Sequence, residues 1–145
     1  MSTEFRLPGF GGAAVFLRRT VASARMRESD APGTAFDVGL LSPDRLVWYQ
    51  QRVAEDDFVD RLGAFLLRAA ADFHPEKSLD VFADRRMGLT VSVRTSTDSR
   101  VELEFEIVEE EDVMSFETSR VALAAAADAL SALGRRHYAE PTGEM

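Results

Sequence analysis

Glu102, Glu104 and Glu106 recur at every second position, and the chain runs on into Glu109-Glu110-Glu111-Asp112, its densest array of one charge. On an extended strand every second side chain leaves the same face, so the three glutamates form a row of carboxylates. Such a row can hold a hard divalent cation or receive a cationic protein surface. The calcium-loop order Asp-x-Asp-x-Asp-Gly is missing, which removes the best-defined metal reading. Two readings remain: a docking surface for a basic protein partner, or a solvated face whose charges keep a sheet edge from aggregating.

Other chemistry-bearing residues are few. Cys is absent and His74 and His137 are the two histidines, so thiolate sites are excluded and no metal or cofactor is expected. Each histidine falls near the end of an expected helix, where it suits the negative end of the dipole, and His74 precedes Pro75. Neither has a Ser or carboxylate neighbour at a spacing that defines a triad, so no catalytic residue is assigned. Gly9-Phe10-Gly11-Gly12 is not preceded by an expected strand, so it does not match a phosphate loop and reads as a lead-in. Trp48 and Tyr49 are adjacent on an expected strand and so face opposite ways. The outward one, with Arg52 nearby, has the residue types of a contact patch.

The chain has 145 residues, 46% of them hydrophobic and 29% charged, which suits one folded domain. Its net charge of −8 is uneven: +2 up to Ala54 and −10 from Glu55 onward. That field repels nucleic-acid phosphates, so no nucleic acid is expected as partner. The first residues lack a continuous apolar run, and Val121 to Leu133 is too short to cross a bilayer, so no membrane association is expected and the cytoplasm is the default location.

The elements that must position these groups follow from periodicity. Residues 1–12 are expected to be a flexible lead-in, 13–137 a single domain, and 138–145 a frayed tail. Ala13 to Leu17 can begin a first strand; Thr20 to Glu28 alternates more convincingly and is expected as a strand, and after a turn at Ser29 to Gly33 the return strand is expected over Thr34 to Leu41. Ser42-Pro43-Asp44 turns the chain into a strand over Arg45 to Val53. Phe58, Leu62, Phe65, Leu66, Ala69 and Phe73 then form one helical stripe, capped by Asp56 or Asp57, with Asp57 and Arg61 one turn apart. Gly63 in that helix implies a close approach to a sheet. Leu79, Val81 and Phe82 make either a brief strand or a plug under the helix, and Met87 to Thr95, Val101 to Ile107 and Val113 to Thr118 read as further strands, the last at an edge. Because odd residues face inward on both strands around Ser96 to Ser99, the register must have an even sum, and one allowed register places Arg94 opposite Glu102. A second helix starts at Thr118 or Ser119 and runs to about Arg136. No internal repeat is visible.

The order of these elements resembles that of small uncharacterised actinobacterial α+β proteins catalogued as domains of unknown function. The resemblance rests on Asp56 to Leu66, on Leu79 and Val81, on Gly88 to Val93, on Val101 to Val108 and on the alanine-rich C-terminal helix, over residues 13–137. Where such proteins carry a tryptophan-rich link after the first helix, this chain has Phe73-His74-Pro75. The resemblance implies no established activity; some small acidic domains of this kind are similar to immunity proteins, which neutralise a partner toxin.

The expected architecture is therefore α+β, in the order β-β-β-α-β-β-β-α. It has a mostly antiparallel sheet of five or six strands with two helices on one face. The leading functional expectation is a non-enzymatic protein-interaction module binding a basic partner through Glu102, Glu104, Glu106, Trp48, Tyr49 or Arg52. A small-molecule binder or minor enzyme with a pocket between sheet and helices, Trp48 or His74 at its mouth, is the alternative. A homodimer through the Val113 to Thr118 edge is a third reading.

Overall fold

In the computed structural model the described residues are 4–19, 35–55, 57–71 and 81–143. They form eight antiparallel strands and two α-helices, an α+β fold. The strands are β1 (Glu4–Pro8), β2 (Ala14–Arg19), β3 (Ala35–Ser42), β4 (Arg45–Val53), β5 (Val81–Asp84), β6 (Leu89–Ser96), β7 (Arg100–Ile107) and β8 (Asp112–Ser119). The helices are α1 (Phe58–Ala71) and α2 (Arg120–Gly143). The strands divide into two four-stranded meanders instead of one sheet of five or six: sheet A in the order β1-β2-β3-β4 and sheet B in the order β5-β6-β7-β8. The expected strand over Thr20 to Glu28, the turn after it, and His74 lie outside the described residues.

Four strands and a helix occur twice in succession, so the chain does repeat itself, in structure if not in residue types. The helices cross between the units: α2 packs mainly against β1 and also against β8, α1 packs against β5, and the two helices pack on each other. Turns are joined across the units too. Thr118 Oγ1 on β8 donates to the Pro8 carbonyl at the β1–β2 turn (2.8 Å), and Arg52 Nη1 on β4 donates to the Met87 carbonyl at the β5–β6 turn (3.2 Å). Gly63 marks the helix crossing, where an added Cβ would stand 3.3 Å from Ser131 Oγ of α2. The close approach expected at Gly63 is thus helix to helix, not helix to sheet.

Alternation explains which face each strand buries. On β7 Val101, Leu103, Phe105 and Ile107 are buried, and on β3 Phe36, Val38 and Leu40. One continuous apolar cluster draws on both sheets and both helices. A ladder of rings spans it: Phe36 of β3 meets Phe58 of α1 (5.3 Å between centroids), Phe58 meets Phe82 of β5 (5.9 Å), and Phe82 meets Phe65 (6.0 Å). Such tilted ring pairs add about 1 kcal/mol each beyond the area they bury.

Residues 4–12 are not a lead-in. Phe5 and Leu7 alternate with Glu4 and Arg6, are buried, and pair β1 with β2. At the other end the helix continues over 138–143, where a frayed tail was expected. Its cap is Ser119, whose Oγ accepts from the Ala122 N–H at 3.0 Å, the bond a helix start needs. The β6–β7 register keeps the even sum from Leu89↔Ile107 to Val93↔Leu103. A bulge then inserts one residue, so Thr95 and not Arg94 faces Glu102. Arg94 reaches Glu104 instead, at 2.7 Å.

Candidate interaction surface

Among the described residues the acidic array splits into two groups with different surroundings. The first is paired within the protein. Glu109 and Glu110 lie on the β7–β8 connection, which turns through Glu111 with a left-handed φ of 54°, and Asp112 opens β8. This connection lies beside β4. Arg52 bonds Glu109 (3.4 Å) and Glu110 (3.2 Å), Arg45 bonds Asp112 (2.9 Å), and the Tyr49 hydroxyl donates to the same Asp112. Withdrawal from water, then the hydrogen bond to Asp112, push the Tyr49 phenol from 10.0 up to about 12. Tyr49 and Arg52, both candidates for partner contact, are thus joined to the protein's own acidic turn.

A second internal centre clamps α1 to the β5–β6 turn. The buried Asp84 carboxylate accepts from the backbone N–H of Met87 (2.9 Å) and Glu55 (3.1 Å) and from Arg61 (3.2 Å). Arg61 also bonds Glu55 (3.0 Å) and Asp57 (2.9 Å), the latter across one helical turn as its spacing required. The hydrogen bond from Arg61 holds the Asp57 carboxyl below its ordinary range. The alternation on β5 hinted that Asp84 faces inward, but nothing local identified its donors.

The second acidic group is the outward face of sheet B. Glu102, Glu104 and Glu106 are half-buried on β7 and flanked by small or polar neighbours. Glu104 lies between Ser92 and Ser115, Glu106 between Thr90 and Val113, and Glu102 between Thr95 and Glu117. Glu117, on the edge strand β8, extends the row in a direction that sequence alternation alone did not show. It stands directly across from Glu102, a like-charge cross-strand pair that costs stability. Arg94 at Glu104 and Arg100 at Glu117 (3.0 Å) offset part of this charge.

Trp48 lies apart from both groups, on the outward face of sheet A. Register places Arg6, Phe16, Gly39 and Trp48 in one row across β1 to β4. Gly39 lets the indole lie flat over β3: an added Cβ would stand 3.0 Å from the ring. Trp48 stacks on Phe16 (5.9 Å, 27° between planes), with Arg18 over the indole (4.2 Å) and Arg6 over the phenyl ring (5.8 Å). Asp37 holds Arg18 in place (3.2 Å). The adjacent aromatics do point opposite ways, Trp48 outward and Tyr49 towards the core.

An open groove of about 280 Å³ runs between α1 and β5, lined by Arg61, Ala64, Phe65, Arg68, Val81, Phe82 and Ala83. Trp48 is not at its mouth. No group of metal-ligating side chains is found among the described residues, and no described helix is long and apolar enough to cross a membrane. A scan of protein-family models and searches of curated proteins and solved structures found no match to this chain.

Proposed function

We propose that this protein is an interaction module, acting by binding and not by catalysis, whose working surface is the outward face of sheet B and whose partner is a basic protein. The observation that carries the reading is the Glu102–Glu117 pair, two carboxylates directly opposite on an open sheet face. Carboxylates facing one another on a sheet concentrate negative charge, to which Arg100 already responds at Glu117 and which a cationic partner surface complements. Glu104 and Glu106 continue the same face. Neutralisation of a basic toxin by an immunity-like mechanism is one specific form of this function. The acids Glu109, Glu110 and Asp112 have a different role, because they pair with β4.

Co-purification from the native host at low salt, followed by the same experiment with Glu102, Glu104 and Glu106 changed to Lys, tests the proposal. A stoichiometric basic protein lost on charge reversal, and lost as salt rises, is the expected result. Recovery of no partner, or of one indifferent to the reversal, overturns it.

A further inference from the structure

Phe10 is 45% exposed, and the turn that carries it is fixed in place. The Gly9 N–H donates to the Ala13 carbonyl (2.8 Å), which closes the β1–β2 turn, and Thr118 Oγ1 ties Pro8 to β8. Gly9 itself lies on β8: an added Cβ would stand 2.2 Å from the Phe116 ring and 3.1 Å from the Glu117 carbonyl oxygen. A turn of sheet A is thereby pressed onto the strand of sheet B that carries Glu117. What joins the Phe10 ring to the acidic row is a cation. The Arg100 guanidinium lies over the ring, 4.5 Å from its centroid, while its Nη1 donates to Glu117 at 3.0 Å. Glu102 stands across the strands from the same Glu117.

We propose that the Phe10 ring and the Glu117 carboxylate form an arginine seat at one end of the acidic face, filled by Arg100 in the free protein and by an arginine of the basic partner in the complex. The inference rests on the reading of sheet B as the working surface and names the partner's contact residue at this end. A ring face attracts a cation and a carboxylate accepts its N–H groups, and a planar guanidinium satisfies both better than a compact ammonium does. The protein's own arginine shows that a guanidinium fits. Arg100 is also a replaceable occupant. Its side chain is 55% exposed, and an exposed ion pair of this kind contributes little to stability. Its backbone is held separately: the Arg100 N–H donates to Thr97 Oγ1 (3.2 Å) and its carbonyl accepts from the Thr97 N–H (2.8 Å). The side chain can therefore leave without loosening the β6–β7 turn. A partner that also meets Glu104 and Glu106 brings its arginine to the seat at high local concentration, against which one exposed side chain competes weakly.

Nona-arginine and nona-lysine peptides carry the same charge and differ in the group that the seat reads, so calorimetric titration of the full chain at low salt is the test. The parent is expected to bind nona-arginine more tightly. Phe10→Leu should lower that preference about three- to fivefold, the share a ring face gives at an exposed site, and leave nona-lysine affinity and the thermal melt unchanged. Arg100→Gln should tighten nona-arginine binding more than Arg85→Gln, which removes the same charge at the far end of sheet B. Equal affinity of the parent for the two peptides overturns the proposal. So does a preference that Phe10→Leu leaves intact, or an Arg100→Gln protein that binds no tighter than the Arg85→Gln one. Reversal of Glu102, Glu104 and Glu106 to Lys separates the two levels. Binding that is lost on reversal but shows no preference for arginine removes the seat and leaves sheet B as the surface. Binding that survives reversal, or no binding of either peptide by the parent, removes both.

Discussion

The Tyr49 hydroxyl donates a hydrogen bond to Asp112, and through that contact the last strand of sheet A is fastened to the start of β8 in sheet B. Arg45 reaches the same carboxylate from the other side, at 2.9 Å. The pair is therefore a link between the two repeated units and not part of an open surface.

The phenol's behaviour gives the first prediction. Its value is raised on folding from 10.0 to about 12, so its contribution to stability is fully present below pH 10 and is lost as pH rises towards 12. Thermal melts between those limits should show stability falling with pH, and Tyr49→Phe should flatten that fall while costing about 1 kcal/mol at neutral pH. Phenolate absorbance of the Tyr49→Phe protein should lose the transition near pH 12 that the parent shows.

Removing the Asp84 carboxylate leaves the N–H groups of Met87 and Glu55 and the Arg61 guanidinium without an acceptor they share. Asp84→Ala is expected to cost about 3 kcal/mol in chemical denaturation, because one partner of a buried ionic centre is deleted. Asp84→Asn keeps the shape and one acceptor oxygen and should cost less than half as much. Equal losses for both would mean that packing, not hydrogen bonding, is what Asp84 contributes.

Gly63 separates two opposing effects. Alanine gains about 1 kcal/mol of helix propensity, but its Cβ meets Ser131 Oγ at 3.3 Å. Gly63→Ala should therefore lie within about 1 kcal/mol of the parent, whereas Gly63→Leu overpacks the helix crossing and should cost about 3 kcal/mol. A well-tolerated leucine would show that the helices can separate there.

At low salt, Glu102→Lys should stabilise the free protein by roughly 0.5 kcal/mol, since it turns a like-charge pair with Glu117 into an attractive one. The gain should shrink as salt screens the exposed charges. Denaturant midpoints at two ionic strengths measure both effects. The same substitution abolishes binding in the proposed function, so stability and binding should move in opposite directions.

Strands with strong alternation and a definite turn were readable residue by residue. β4 runs over Arg45–Val53 as its composition required, and Ser42-Pro43-Asp44 turns the chain into it. β1 was hidden because its two inward residues, Phe5 and Leu7, stand beside Pro8 and the glycines, whose turn signal is stronger. The division into two sheets was not readable at all: an antiparallel strand with one apolar face looks the same in either arrangement. Long-range pairing limited the site in the same way. The acids after Ile107 looked available because their partners, Arg45 and Arg52, lie 67 and 58 residues away from Asp112 and Glu110. Alternation showed that Trp48 and Tyr49 diverge, but only the register beside Gly39 showed which one faces outward. The bulge at Arg94 has no composition of its own, and it moved the contact with Glu102 that one of the allowed registers gave to Arg94.

The crossing of helices between the repeated units has a consequence for how the chain is made. β1 is among the first elements to leave the ribosome, yet α2, which covers it, is the last. Phe5 and Leu7 therefore lack that cover until α2 has been made. A stop codon that removes α2 should unmake the N-terminal half as surely as the C-terminal one.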